Sequence, residues 1–389
     1  MIIRKIHKEL LSCALEYPVV TVLGPRQSGK TTLCQMSFPD YPCISLEDPD
    51  IRLMAENDPR GFLSSNPGPV IFDEIQRVPT LLSYIQGIVD RGCSNGSYIL
   101  TGSHQLKFQS EVSQSLAGRT AILTLLPYSL SEISDYAVDL STYELMLKGS
   151  YPRIYDRELE PLRFYRNYLQ TYIERDVRSM IKLKELSRFQ IFLRLLAGRT
   201  GQLINYTSLA NDVGVSSTTI KEWISILKAS FVIFELLPYH ANIRKRLVKA
   251  SKIYFIDLGL AAYLLDLTNA QQIERDPLRG NLFENAVILD IYKEIYNKGE
   301  SPQFYFYRDS NGNEVDLLIK KGRTISAVEI KSSATFTPNF LKGIDNFISL
   351  KLPEIVNSFI VYNGVDQHCF KGTKVIPFSL EGRHEILYS

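Results

Sequence analysis

The chain has 389 residues, with 44 Lys and Arg against 42 Asp and Glu, so its formal charge is +2. That balance excludes a partner chosen by overall charge, so any nucleic-acid binding must rest on local patches. A hydrophobic fraction of 45% with 22% charged residues is ordinary for globular folding, and the length predicts two or three domains. Cysteines 13, 34, 43, 93 and 369 form no CxxC pair, which predicts a reducing, cytoplasmic setting with neither disulfide nor zinc framework. No apolar run reaches 18 residues, and charge interrupts the N-terminus before a signal-like segment develops, so no membrane anchor is expected.

In chain order, Ile6, Leu10, Leu11, Ala14 and Leu15 recur at helical spacing and predict a first helix that ends before Pro18. Val19 to Leu23 then form an apolar strand running into Gly24-Pro25-Arg26-Gln27-Ser28-Gly29-Lys30-Thr31-Thr32, which reads GPRQSGKTT. Strand, Gly-rich turn and helix start in one segment are the context of a P-loop. Backbone N–H groups of such a loop, at the positive end of a helix, converge on phosphate oxygens without a side chain in the way. Lys30 is expected at the β- and γ-phosphates and Thr31 on Mg²⁺, with Thr32 the lesser candidate. ATP and Mg²⁺ are the ligands this predicts.

A short strand over residues 41–47 and a Pro-punctuated crossover lead to Val70-Ile71-Phe72-Asp73-Glu74. Acids at the carboxyl end of a buried parallel strand lie where such sheets bind ligands. Asp73 is expected to orient the Mg²⁺ shell and Glu74 to polarise the attacking water. The strand of residues 97–103 ends in Thr101 and Ser103, which are candidates to sense the γ-phosphate or to cap a turn. Arg119 follows a polar helix and is a candidate arginine finger, in cis or in trans, or else a helix-end arginine paired with a carboxylate.

Further along, GPRQSGKTTL, VIFDEIQRVP, YILTGSHQL and SLAGRTAILTLLPYSLSEI are joined by YLQTYIERDVRSM and LLAGRTGQLINYTSLANDVGVSSTTIKEWISIL. With KIYFIDLGL, GNLFENAV and EVDLLIKKGRTISAVEIKSS, they resemble prokaryotic AAA+-type ATPases whose C-terminal half was long catalogued as a domain of unknown function. The resemblance spans nearly the whole chain and is least distinctive after Thr335. It implies an AAA+-like α/β core with a parallel sheet at residues 1–140 and a helical and winged-helix domain at 141–270. A restriction-nuclease-like α/β domain of the PD-(D/E)xK kind is implied at 271–389. No physiological role comes with it.

In the middle third, residues 153–199 hold 11 Lys or Arg against 6 Asp or Glu, interleaved with aromatics. Phe164, Tyr165, Tyr168, Leu169 and Tyr172 fall on one helical face, which reads as a core stripe before a base-stacking one. Residues 205–210, the Gly214 turn and the Ser216-capped run bearing Ile220, Trp223, Ile224 and Leu227 read as helix-turn-helix. Its outer face presents Ser217, Thr218, Lys221 and Glu222, and Arg244-Lys245-Arg246 between two strand-like runs suggests a basic wing. Winged helices dock DNA or protein.

In the last third, residues 314–319 and 325–331 predict a hairpin that brings Asp316 opposite or diagonal to Glu329, within about 7–8 Å. With Glu284 from a preceding helix and Lys331, this resembles the metal site of PD-(D/E)xK nucleases. The resemblance implies a second Mg²⁺ held by Glu284, Asp316 and Glu329, with Lys331 stabilising charge. The expected activity is an ATPase acting as a switch or motor, possible oligomers included, on double-stranded DNA or a protein partner. The alternatives are a DNA-binding regulator and an ATP-gated nuclease.

Overall fold

A computed structural model describes residues 2–103, 115–173, 186–239, 250–352, 354–378 and 386. Helix α1 (His7–Glu16) precedes β1 (Val19–Gly24), and α2 (Lys30–Ser37) follows the P-loop. Then come β2 (Cys43–Ser45), β3 (Val70–Asp73), α3 (Leu81–Asp90), β4 (Tyr98–Ser103) and β5 (Thr120–Thr124). These strands form one parallel sheet in the order β2-β3-β4-β1-β5. All six residues of β1 and of β4 are buried, because helices cover both faces of a parallel sheet. The Pro-punctuated crossover folds as two short helices, Pro49–Asn57 and Pro59–Ser65. Each has Pro at its start and an aspartate, Asp48 or Asp58, accepting a first-turn N–H.

The middle of the chain is helical: α4 (Pro152–Asp156), α5 (Pro161–Tyr168), α6 (Leu186–Ala197), α7 (Tyr206–Val213) and α8 (Ser217–Ala229). Phe164, Tyr165 and Tyr168 are buried and pack on Tyr151, so this face is core as its spacing predicts. Tyr172 has no described side chain. Helices α7 and α8 join through Gly214 in the left-handed region, with Asn205 and Ser216 accepting the first-turn N–H groups of the two helices. The antiparallel pair β6 (Ile233–Pro238) and β7 (Lys252–Phe255) follows. Arg244, Lys245 and Arg246 lie outside the described residues.

Helix α9 (Leu258–Leu264) and the 19-residue α10 (Arg279–Asn297) lead to β8 (Phe304–Arg308), β9 (Glu314–Lys321) and β10 (Thr324–Lys331). Strands β11 (Ile355–Tyr362), β12 (His368–Phe370) and β13 (Thr373–Pro377) complete a mixed eight-stranded sheet, β12-β13-β11-β10-β9-β8-β6-β7. This sheet spans the expected boundary at 270/271. β6 pairs with β8 through Leu237 and Pro238, and one apolar cluster runs from Leu126 to Ile386. Paired strands and a shared core make the last two thirds a single packed unit.

Candidate functional site

The P-loop is built by close backbone approach. A Cβ on Gly24 would lie 2.1 Å from the Leu125 carbonyl oxygen, and Gly29 has φ of 90°, so glycine is required at both ends of the turn. Between them, Ser28 Oγ donates to the Pro25 carbonyl at 2.9 Å. The Lys30 ammonium is buried and donates to the Gly24 and Pro25 carbonyls at 3.1 and 2.9 Å. Burial pushes its pKa below the ordinary lysine value, and the nearby Glu74 and Asp73 oppose that shift.

Strands β1, β4 and β3 lie side by side, so their carboxyl ends bring the predicted acids and hydroxyls to the loop. Asp73 Oδ1 accepts from Thr31 Oγ1 at 2.5 Å and from Thr101 Oγ1 at 2.6 Å. Thr101 Oγ1 in turn accepts the Glu74 N–H at 3.3 Å. Glu74 sits in the left-handed region with φ of 57° and ψ of 45°, a costly backbone for a non-glycine. Its carboxylate accepts from Gln76 Nε2 and from Ser103 Oγ, the latter at 3.4 Å, and Gln76 also donates to Ser103 Oγ at 2.8 Å. Oxygen donors from Thr31 and Asp73, side by side at the P-loop helix, suit a hard divalent cation such as Mg²⁺.

A cavity of about 530 Å³ opens on this loop. Gln27 to Leu33 and Glu74 line one side, and Ile2, Ile3, Arg4 and His7 come from the N-terminus. Tyr128, Pro152, Arg153 and Asp156 complete the lining. Arg26 lies beyond this lining, 3.8 Å from Glu47.

Sequence reading did not place Arg4 or Arg153 here. Arg4 is buried and makes three bonds: to Glu132 at 2.9 Å, to the Ser28 carbonyl at 2.8 Å and to the Leu126 carbonyl at 2.6 Å. Arg153 is exposed on the cavity wall, where it presents an accessible positive charge. The stretch Tyr151-Pro152-Arg153 stands out in the sequence, but nothing local in it points to a loop 120 residues earlier.

Arg119 is not brought to the loop within the chain. It precedes β5, whose first residue pairs with Val19 at the start of β1, about 16 Å along the strands from the P-loop end. Its guanidinium pairs instead with Asp90, at 2.5 and 3.1 Å. The carboxylate pair is the alternative to a finger that the sequence left open.

The acids of the last third do converge, but around lysines. Val328 pairs with Leu317, which sets Glu329 opposite Asp316. Lys331 lies 2.6 Å from Glu329 and 3.5 Å from Asp316. Lys252, from β7 and unforeseen, lies 2.9 Å from Glu284 and 2.5 Å from Glu314, and Tyr254 donates to Glu284 at 2.5 Å. Burial raises the Glu329 pKa to about 8 and the Glu284 pKa to about 7, with Asp316 adding to both and the lysines opposing. Among the described residues, no group of three or more His, Cys, Asp or Glu is placed to hold a metal. The carboxylates expected to hold a second Mg²⁺, Glu284, Asp316 and Glu329, are thus paired with ammonium groups, Glu284 with Lys252 and the other two with Lys331.

Fold and site together support a P-loop ATPase domain in the first third of the chain. Residues 16–134 match the family model described as an AAA domain, and residues 140–271 and 279–380 match two models described as domains of unknown function. An uncharacterized protein of Mycobacterium tuberculosis is 29% identical over 358 residues, covering 89% of this chain and 77% of the relative. One of Haemophilus influenzae is 22% identical over 296 residues, covering 71% and 70%. Among solved structures, a Walker-type ATPase of Pyrococcus abyssi has 15% identity and a TM-score of 0.38, covering 67% of this chain and 94% of its own. No helix among the described residues is long and apolar enough to cross a membrane.

Proposed function

We propose that the chain binds Mg·ATP at the P-loop, hydrolyses it and uses the cycle as a conformational switch on a partner. The observation that carries this is the bonded set Thr31, Asp73, Thr101 and Glu74 at the mouth of the P-loop cavity. Backbone N–H groups of residues 26–30 and the Lys30 ammonium bind the phosphates, and Arg153 adds charge from the same cavity lining. Thr31 and Asp73 would hold Mg²⁺, which neutralises charge on the phosphates when bound. Glu74 takes a proton from the attacking water, and Ser103 with Gln76 fixes the rotamer of its carboxylate. Phosphate release by wild type, Lys30→Ala and Glu74→Gln tests this. Turnover is expected to be lost in both variants with ATP binding kept in Glu74→Gln, and equal rates in all three refute it.

A second reading, a DNA-binding regulator, is supported by the α7–α8 helix-turn-helix pair and the strand pair that follows it, the elements a winged helix would use. Against strong phosphate attraction, Asp212 of α7 pairs with Arg199 and Lys228 of α8 with Glu235 of β6. Duplex binding whose affinity falls steeply with salt, and falls further on neutralising Arg244-Lys245-Arg246, supports this reading; binding without salt dependence refutes it.

A further inference from the structure

The two walls of the nucleotide cavity come from distant parts of the sequence, yet both are tied to the last turns of α10. On the P-loop side, Arg4 holds the Ser28 carbonyl and Glu132, and the Glu132 carboxylate also accepts the N–H groups of Lys5 and Ser129. This segment meets α10 through Ser131 and Lys5, which both bond Glu294, and through the Leu130 N–H, which Asp290 accepts at 2.7 Å. Lys293 donates to the Tyr128 carbonyl of this same segment at 2.9 Å and, on the side that carries Arg153, to Ser150 Oγ at 2.7 Å. Ser150 precedes Tyr151-Pro152-Arg153, and its hydroxyl and N–H both reach Asp257 at 2.7 Å. Tyr128 itself lines the cavity and stacks under Arg4.

Burial makes these ties stiff. Arg4, Glu132, Ser150, Asp257, Asp290, Lys293 and Glu294 are all at least nine-tenths buried. A buried polar network that is fully bonded fixes one arrangement, since every alternative leaves a donor or acceptor orphaned. A network that only braced the fold would not need to touch both sides of one cavity.

We propose that Lys293 and Glu294 are positioning residues for the nucleotide site: through Ser150 and through the 128–132 segment they set the distance between the Arg153 wall and the P-loop. The proposal deepens the ATPase reading and rests on it. Reciprocity follows from linkage, so ATP that draws the walls together tightens α10, and loosening α10 weakens ATP. Because α10 carries Glu284 nine residues before Lys293, about 13 Å along the axis, the Lys252–Glu284 cluster lies on the same rigid element.

The test uses the full chain. ATP affinity is measured with a fluorescent ATP analogue, and hydrogen exchange of α10 is followed with and without Mg·ATP, for wild type, Lys293→Met, Lys293→Arg and the milder Ser150→Ala. In wild type, ATP slows exchange of residues 290–297. Lys293→Met and Ser150→Ala weaken ATP by roughly five- to tenfold and abolish that slowing, and Lys293→Arg restores part of it. Unchanged ATP affinity and unchanged α10 response in folded Lys293→Met and Ser150→Ala overturn the proposal, as does a wild-type α10 indifferent to ATP. ATP bound with no phosphate released sinks the hydrolysis reading alone, whereas no ATP binding by wild type sinks both.

Discussion

Thr101→Val tests whether the hydroxyl on β4 works in catalysis or only in the core. Thr101 is fully buried, its Oγ1 donates to Asp73 at 2.6 Å, and the same oxygen accepts the Glu74 N–H at 3.3 Å. Valine keeps the shape and removes both bonds. A hydrogen bond to a carboxylate contributes about 1.5–3 kcal/mol, and a neutral one about 1 kcal/mol, so the total at stake is about 2–4 kcal/mol. The loss is shared between the fold and the orientation of Asp73 and Glu74, whose left-handed backbone this contact supports. If about half of it is lost in the transition state, kcat falls roughly 5- to 30-fold. Phosphate release at saturating Mg·ATP reads the first share, and urea unfolding followed by circular dichroism reads the second. A variant destabilised by the expected amount whose kcat is unchanged would refute the reasoning, since Thr101 would then serve packing alone.

Three further outcomes are expected. Gly24→Ala places a Cβ 2.1 Å from the Leu125 carbonyl oxygen, so the loop must shift; the midpoint of thermal unfolding should fall and ATP affinity should drop at least tenfold, read by calorimetry and titration. Arg119→Ala removes the Asp90 pair and a bond to the Ala117 carbonyl at the far end of the sheet, so ATP turnover at low protein concentration should stay within about twofold of wild type. A larger loss, growing with protein concentration in mixing experiments, would show that a second copy presents Arg119 to the site. Lys293 has its pKa lowered to about 8 by burial, with Asp257, Asp290 and Glu132 opposing, whereas an unfolded lysine titrates near 10.4. Between those values the unfolded chain binds the extra proton, so this group makes stability rise with pH from 8 to 10, by at most about 1.4 kcal/mol per pH unit. Urea unfolding at pH 7.5, 8.5 and 9.5 should show that slope in wild type and a flatter one in Lys293→Met.

What could be read from the residues alone was local. Gly24 to Thr31, Asp73, Glu74 and Thr101 announce themselves because each sits at the end of an apolar run, and parallel strands deliver their carboxyl ends to one edge. The same rule applied more strictly places Arg119 correctly: it precedes β5, so a parallel β5 puts it at the amino edge, away from the loop. Arg4, Lys252 and Lys293 were not legible, because two of the three partners of Arg4 lie 122 and 128 residues away and those of Lys293 lie 143 and 165 away. No periodicity encodes which carboxylate or carbonyl a buried cation will meet. The hairpin of residues 314–331 shows both sides. Alternation predicted that Asp316 and Glu329 would face each other, but the charge between them depends on Lys331 and the strand bearing Lys252.

The pairing of β6 with β8 has a practical meaning for anyone dissecting the chain. Cutting after residue 270 would strip the hairpin of its neighbour, expose Leu237 and Pro238 along an open edge, and remove α10 from the apolar cluster that also holds Trp223. A piece of that kind would be prone to aggregate, and failure to bind DNA or protein would say nothing about the intact middle third. The more informative division leaves residues 126–389 whole and asks whether the P-loop third can be reunited with it in trans, since the ties from Arg4 and Lys5 to Leu126, Glu132 and Glu294 are polar and specific.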